Sequence, residues 1–98
     1  MKDYINQRRR KMKKDKFIQE MEKHGDAVIT YRSAKSRKLK YNVCTMEFDN
    51  DYIQSKRNRA KANQHQVLCW CWDTDSYRLL VPENVVSIVP LSKILKND

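Results

Sequence analysis

The chain has one glycine and two prolines in 98 residues, so repetitive Gly-Pro architectures and flexible Gly/Ser linkers are excluded, and its tight turns must be made largely without glycine. Hydrophobic runs are short. None approaches the ~18 residues of a membrane span, and the N-terminus lacks the apolar stretch of a signal peptide, so the expected location is a cytoplasm. The cysteines, Cys44, Cys69 and Cys71, are three in number. That odd count, without a secretory signal, favours thiols in a reducing compartment, and disulfides are not expected. Length sets one domain.

Acidic residues are scarce where basic ones are dense. Residues 1 to 40 carry fourteen Lys/Arg against five Asp/Glu, whereas residues 41 to 98 carry seven of each, so the formal charge of +9 resides entirely in the front of the chain. A basic arm on a neutral body points to a polyanionic partner, nucleic acid first, with an acidic protein surface or an anionic lipid surface behind it.

Residues 3 to 24 contain neither Gly nor Pro and are rich in helix formers, with Asp3 placed to cap and Gly25 to terminate, which predicts one N-terminal helix. Its apolar residues are Tyr4, Ile5, Met12, Phe17, Ile18 and Met21, but residues 6 to 11 offer nothing to bury, so only the C-terminal half is expected to dock. Arg8, Arg9, Arg10, Lys11, Lys13, Lys14 and Lys16 spread around more than one face and repel one another, a run that phosphate contact would relieve.

After Gly25 the pattern turns to β. Ala27 to Arg32 and Lys38 to Phe48 read as a hairpin, with Leu39, Tyr41 and Val43 on one face of the second strand. The apolar phase then slips to Met46 and Phe48, which predicts a bulge near Cys44 and Thr45. Asp49 to Gln66 is a polar insert in which Asp49, Asn50 or Asp51 caps a short helix carrying Tyr52, Ile53, Lys56, Arg57, Arg59 and Lys61, with a loop as the alternative. Val67 to Trp72 and Tyr77 to Val81 form a second hairpin around Asp73 to Ser76. Pro82 to Val85 makes a single helical turn, Val86 to Val89 a last strand, and Leu91 to Leu95 one more turn. The order predicts a mainly β, α+β fold: a basic helix at 1 to 25, then a five-stranded Src-homology-3-like barrel at 26 to 98 with an insert at about 49 to 66. An open sheet with one covering helix is the alternative.

Five features carry this into a resemblance: the strand VITYR, the Cys44-Thr45 pair, Trp72-Asp73, the Tyr77-Arg78 pair, and Val85 or Val86 with Ser87 and Ile88. Their order resembles small tailed-bacteriophage proteins with a Src-homology-3-like barrel, related in pattern to WYL domains, over Ala27 to Val89. Ala34 to Ser36 and Asn84 depart from the glycine and arginine usual there. The resemblance implies a phage accessory protein that touches nucleic acid or a nucleic-acid machine.

Beyond the helix, the expected phosphate contacts are Arg32, Lys35, Arg37, Lys38 and Lys40 around the first hairpin turn, and Lys56, Arg57, Arg59 and Lys61 in the insert. Tyr31 and Tyr41 lie among the cations, and with Trp70 are candidates for stacking on bases, against a reading as core-edge residues. Alternation places Val67, Cys69 and Cys71 on one face and Leu68, Trp70 and Trp72 on the other; apolar area favours the tryptophans inward, unless both faces are covered. Cys44, His65, Cys69 and Cys71 lack zinc-knuckle spacing, and the carboxylates occupy caps and turns, so no metal, no cofactor and no catalysis are expected. The competing expectation is a module that attaches to a host protein complex, anchored by the tryptophan face or the helix.

Overall fold

The computed structural model describes residues 11–58 and 60–95. Helix α1 spans Lys14–His24, with Asp15 in its first turn and Lys23 and His24 in its last, charges that complement the helix dipole. Lys11 to Lys13 are not helical. Within the described residues the predicted helix is interrupted at 11–13 and begins at Lys14, after an extended Lys13 that provides no side-chain cap; residues 3–10 of the prediction, with the Asp3 cap, lie outside the described residues. Phe17 and Met21, one turn apart, are fully buried. Gly25 ends the helix at φ 77°, ψ −87°, where its N–H donates to Met21 O at 2.9 Å. An added Cβ there would meet Glu47 Oε1 at 3.2 Å. The chain's single glycine thus stands where a side chain is least tolerable.

Strands β1 (Asp26–Arg32) and β2 (Leu39–Thr45) form the first hairpin, β3 (Val67–Cys71) and β4 (Ser76–Leu80) the second, and β5 (Val85–Pro90) returns beside β1 after a 3₁₀ turn at Pro82–Asn84. Helix α2 (Asp51–Gln54) lies in the insert, and α3 (Leu91–Leu95) closes the described chain. Both hairpin turns use non-glycine residues in the left-handed region, Arg37 at φ 63° and Asp75 at φ 53°. Asn50 caps α2, its Oδ1 accepting from the backbone N–H groups of Tyr52 at 2.9 Å and Ile53 at 3.3 Å. The helix ends at Gln54, so Lys56 and Arg57 lie beyond it.

The strands form one antiparallel sheet in the order β4-β3-β2-β1-β5. It is not closed: β4 and β5 remain its edges, a correction to the expected closed barrel. The bulge is also elsewhere. Pairing of β1 with β2 runs unbroken from Asp26↔Thr45 to Arg32↔Leu39, and the shift lies between Thr30 and Tyr31 where β1 pairs β5. β2 simply ends at Thr45, so the change of apolar phase marks the end of a strand.

The inner face carries Ala27, Ile29, Cys44, Cys69 and Cys71, packed with Val67 and Leu80 beneath Phe17 and Met21 of α1. Small side chains at the sheet centre let the helix approach, and buried thiols behave there as small hydrophobes. This phase decides which face of β2 is inward and corrects the expected orientation of β3. On β2 it is Asn42 and Cys44 that point inward, while Leu39 and Tyr41 are 54% and 66% exposed on the outer face. On β3 the cysteines, not the tryptophans, face the main core. Trp70 is nevertheless fully buried on the other face, where Tyr52 of the insert, Tyr77 of β4 and Trp72 surround its ring. The Trp70 ring meets Tyr77 edge-on at 5.1 Å and Trp72 at 5.9 Å. The Tyr77 hydroxyl donates to Ile53 O at 3.2 Å, and that of Tyr52 to Asp75 Oδ1 at 2.6 Å, fastening the insert down.

Replacing Gly25 by Ala is expected to destabilise the protein by about 1–3 kcal/mol, the scale of a forced unfavourable backbone conformation. Urea unfolding measures it; an unchanged midpoint would contradict the role given to this turn.

Candidate nucleic-acid interface

The inner face extends past the end of α1, and there it becomes polar. Tyr31 on β1, Lys40 and Asn42 on β2 and Arg78 on β4 share the inward phase, by the pairings Tyr31↔Lys40, Ile29↔Asn42 and Cys69↔Arg78. Two adjoining concavities of about 350 Å³ each have Tyr31, Lys40 and Arg78 in common. One continues to Lys35 at the hairpin turn, the other to Tyr41.

The floor of this groove is a hydrogen-bonded chain. The Tyr31 hydroxyl donates to Asn42 Oδ1, Asn42 Nδ2 donates to Asp73 Oδ2 at 3.0 Å, and Asp73 Oδ1 accepts from the Val43 N–H at 3.0 Å. Asn42, among the few buried polar side chains, is thereby satisfied on both its oxygen and its nitrogen. Burial pushes the Tyr31 phenol above its ordinary value, so it stays a neutral donor. Asp73 is occupied in this chain. Among the described residues no carboxylate comes within ion-pair distance of Lys35, Arg37, Lys38, Lys40 or Arg78. The groove thus presents uncompensated positive charge beside aromatic rings, the arrangement that accepts phosphate and a flat base together.

The predicted contacts separate into groups. Arg32, Lys35, Arg37, Lys38 and Lys40 are all exposed at the hairpin, where Arg32 Nη1 also donates to Arg37 O at 3.2 Å. Arg8, Arg9 and Arg10 lie outside the described residues, as does Arg59. Lys11, Lys13 and Lys14 line a third concavity, of about 330 Å³, with His65, Pro82 and Glu83. Lys16 pairs with Glu20 at 3.5 Å. Lys56 is engaged: it lies 3.4 Å from Asp75 and 4.9 Å above the Tyr52 ring, and those partners raise its ammonium above the ordinary value. Arg57 and Lys61 are exposed. Of the proposed stacking residues, Trp70 offers no face to a base, since it is fully buried. Tyr31 is partly buried with its hydroxyl held, and Tyr41 is open.

Arg78 was not among the contacts expected from charge clusters. The readable signal is its phase: it alternates with buried Leu80, so an arginine faces inward on an apolar strand. The zinc-type set does not assemble. His65 is exposed while the three cysteines are buried, and no group of three metal-type ligands occurs among the described residues. Burial pushes the Cys69 thiol up to about 12. The Cys44 and Cys71 sulfurs are 3.2 Å apart; their shared hydrogen bond raises Cys44 and lowers Cys71. No helix among the described residues is long and apolar enough to cross a membrane.

Comparison with family models, curated proteins and solved structures found no match. The geometry of this groove therefore carries the functional reading on its own.

Replacing Asp73 by Ala removes the acceptor for Asn42 and Val43 together, and is expected to cost roughly 2 kcal/mol of stability, the scale of bonds to a charged group. Tyr31→Phe, which removes one hydroxyl, should cost less. Parallel urea titrations rank the two, and the reverse order would show that Asp73 does not hold the groove floor.

Proposed function

We propose that the protein binds nucleic acid, chiefly through phosphate contacts of its basic N-terminal segment and first hairpin, with the groove of Tyr31, Lys40 and Arg78 receiving part of the strand. The observation that carries this reading is the uncompensated charge of that groove and hairpin. Lys35, Arg37, Lys38, Lys40 and Arg78 lie together without a carboxylate partner, next to an open Tyr41 ring. Mutually repelling cations held at one end of a sheet are stabilised by a polyanion, and released counterions supply the driving force.

The strand order and the 3₁₀ turn before the last strand support a Src-homology-3-like relationship in which the sheet is bent but open. With the resemblance to small phage proteins and WYL-related domains, they support a phage-type accessory or regulatory role in a host cytoplasm, without catalysis. A second reading, a module that attaches to a host or phage complex, draws on the outer face, where exposed Leu39 and Tyr41 flank half-buried Val43 and Val28. On that reading the anchor is this stripe rather than the tryptophans.

Fluorescence anisotropy with labelled duplex DNA, single-stranded DNA and RNA tests the proposal. Affinity is expected to fall roughly a hundredfold between 50 and 200 mM salt, the slope of about four phosphate contacts. Lys40→Glu with Arg78→Glu should weaken it by about tenfold or more at low salt, and reversing Arg8, Arg9 and Arg10 should do the same. Binding that ignores all five charges, or none at 50 mM, refutes the proposal. Capture of a protein partner lost with Leu39→Asp but kept with the reversed charges would favour the second reading.

A further inference from the structure

β2 and β3 join through only two register pairs, Cys44↔Cys71 and Thr45↔Trp70, whereas β1 and β2 share seven and β3 and β4 five. One of those two pairs is a pair of cysteines. Residues directly opposed in antiparallel strands have Cα atoms about 4.5–5.5 Å apart, inside the range that a disulfide spans. The sulfurs already lie 3.2 Å apart and need close only to about 2.05 Å. Cys69, the third thiol, opposes Arg78 instead and has no such neighbour in the register.

We infer that Cys44 and Cys71 are a redox site: thiols in a reducing environment, they close under peroxide into a disulfide that staples the two hairpins at their narrow seam. The chemistry balances with peroxide as the two-electron oxidant. The Cys71 sulfur attacks one peroxide oxygen, breaking the O–O bond; protonation of the departing oxygen gives water and leaves Cys71 as a sulfenic acid. The Cys44 sulfur then attacks the Cys71 sulfur, the S–O bond breaks, the thiol proton leaves with the hydroxide as a second water, and the S–S bond forms. The two roles are interchangeable, because either sulfur can donate the hydrogen bond that joins the pair. Both sulfurs are buried in the core cluster, so a small oxidant reaches them during local opening of the seam.

The groove straddles that seam, Tyr31 and Lys40 on one hairpin and Arg78 on the other, so the bond fixes their separation. That consequence rests on the binding reading; formation of the bond does not, and it is measured without nucleic acid. The full-length protein is treated with hydrogen peroxide, denatured, and its thiols counted and mapped. Thiols should fall from three to one, with the Cys44 and Cys71 peptides linked within one chain, and the Cys69→Ser variant should fall from two to none. Hydrogen exchange at the Trp72 amide, which donates to Val43 O across the seam at 2.7 Å, should slow by roughly tenfold or more in the oxidised form and recover with reductant. Three thiols surviving peroxide that oxidises free cysteine in the same tube would overturn the inference. So would a link through Cys69 or between chains, or unchanged exchange at Trp72.

Discussion

The narrow join between β2 and β3 is the constraint on which the rest of this molecule depends. Two register pairs cannot hold two hairpins in one sheet, and the structure supplies what the ladder lacks from both sides. Beneath the join, Phe17 and Met21 belong to the same buried cluster as Cys44, Cys69 and Cys71. Above it, Trp70 and Thr45 are buried, and Trp72 stacks near Tyr52 at 6.4 Å while its Nε1 donates to Asp26 Oδ1 at 3.0 Å. The basic segment and the polar insert thus lead into, or form, the two covers that keep the sheet whole. Removing residues 1 to 25 would strip the inner cover along with the charge, and so would confound binding with folding.

The same join shapes the site. Asp73 leaves the second hairpin to bind Asn42 and the Val43 amide of the first, so the bond that ties the halves together also consumes the one carboxylate at the groove floor. Lys40 and Arg78 have no ion-pair partner among the described residues. Stability and electrostatics are coupled here through a single side chain, and a groove spanning two weakly joined halves is sensitive to anything that alters the joint.

Local signals in the chain specify most of its elements. Two hairpins with polar turns, a proline-led single turn, a short helix capped from among Asp49, Asn50 and Asp51, and the final strand all follow from alternation, capping and breakers, which act over a few residues. What was not legible depends on distant partners. Leu39, Tyr41 and Val43 alternate as a buried face should, yet Asn42 points inward because Tyr31 and Asp73, 11 and 31 residues away, satisfy its amide. The tryptophans promise the larger burial, yet the cysteines take the main core with Phe17 and Met21, while Tyr52, Trp72 and Tyr77 enclose Trp70 on the other face. Sheet closure depends on how far each strand curls, which no local pattern records. Arg78 stood alone in sequence, and joins the hairpin cations only once β4 lies beside β3.

On the proposed function, the inner-face groove across this joint receives nucleic acid. Amide chemical shifts of the isotope-labelled protein, followed as a short single-stranded oligonucleotide is added at low salt, test it most directly. The largest changes should fall on Tyr31, Lys35, Lys40, Tyr41 and Arg78, on both hairpins at once. Changes confined to the outer face and insert, or none at saturating oligonucleotide, would contradict it.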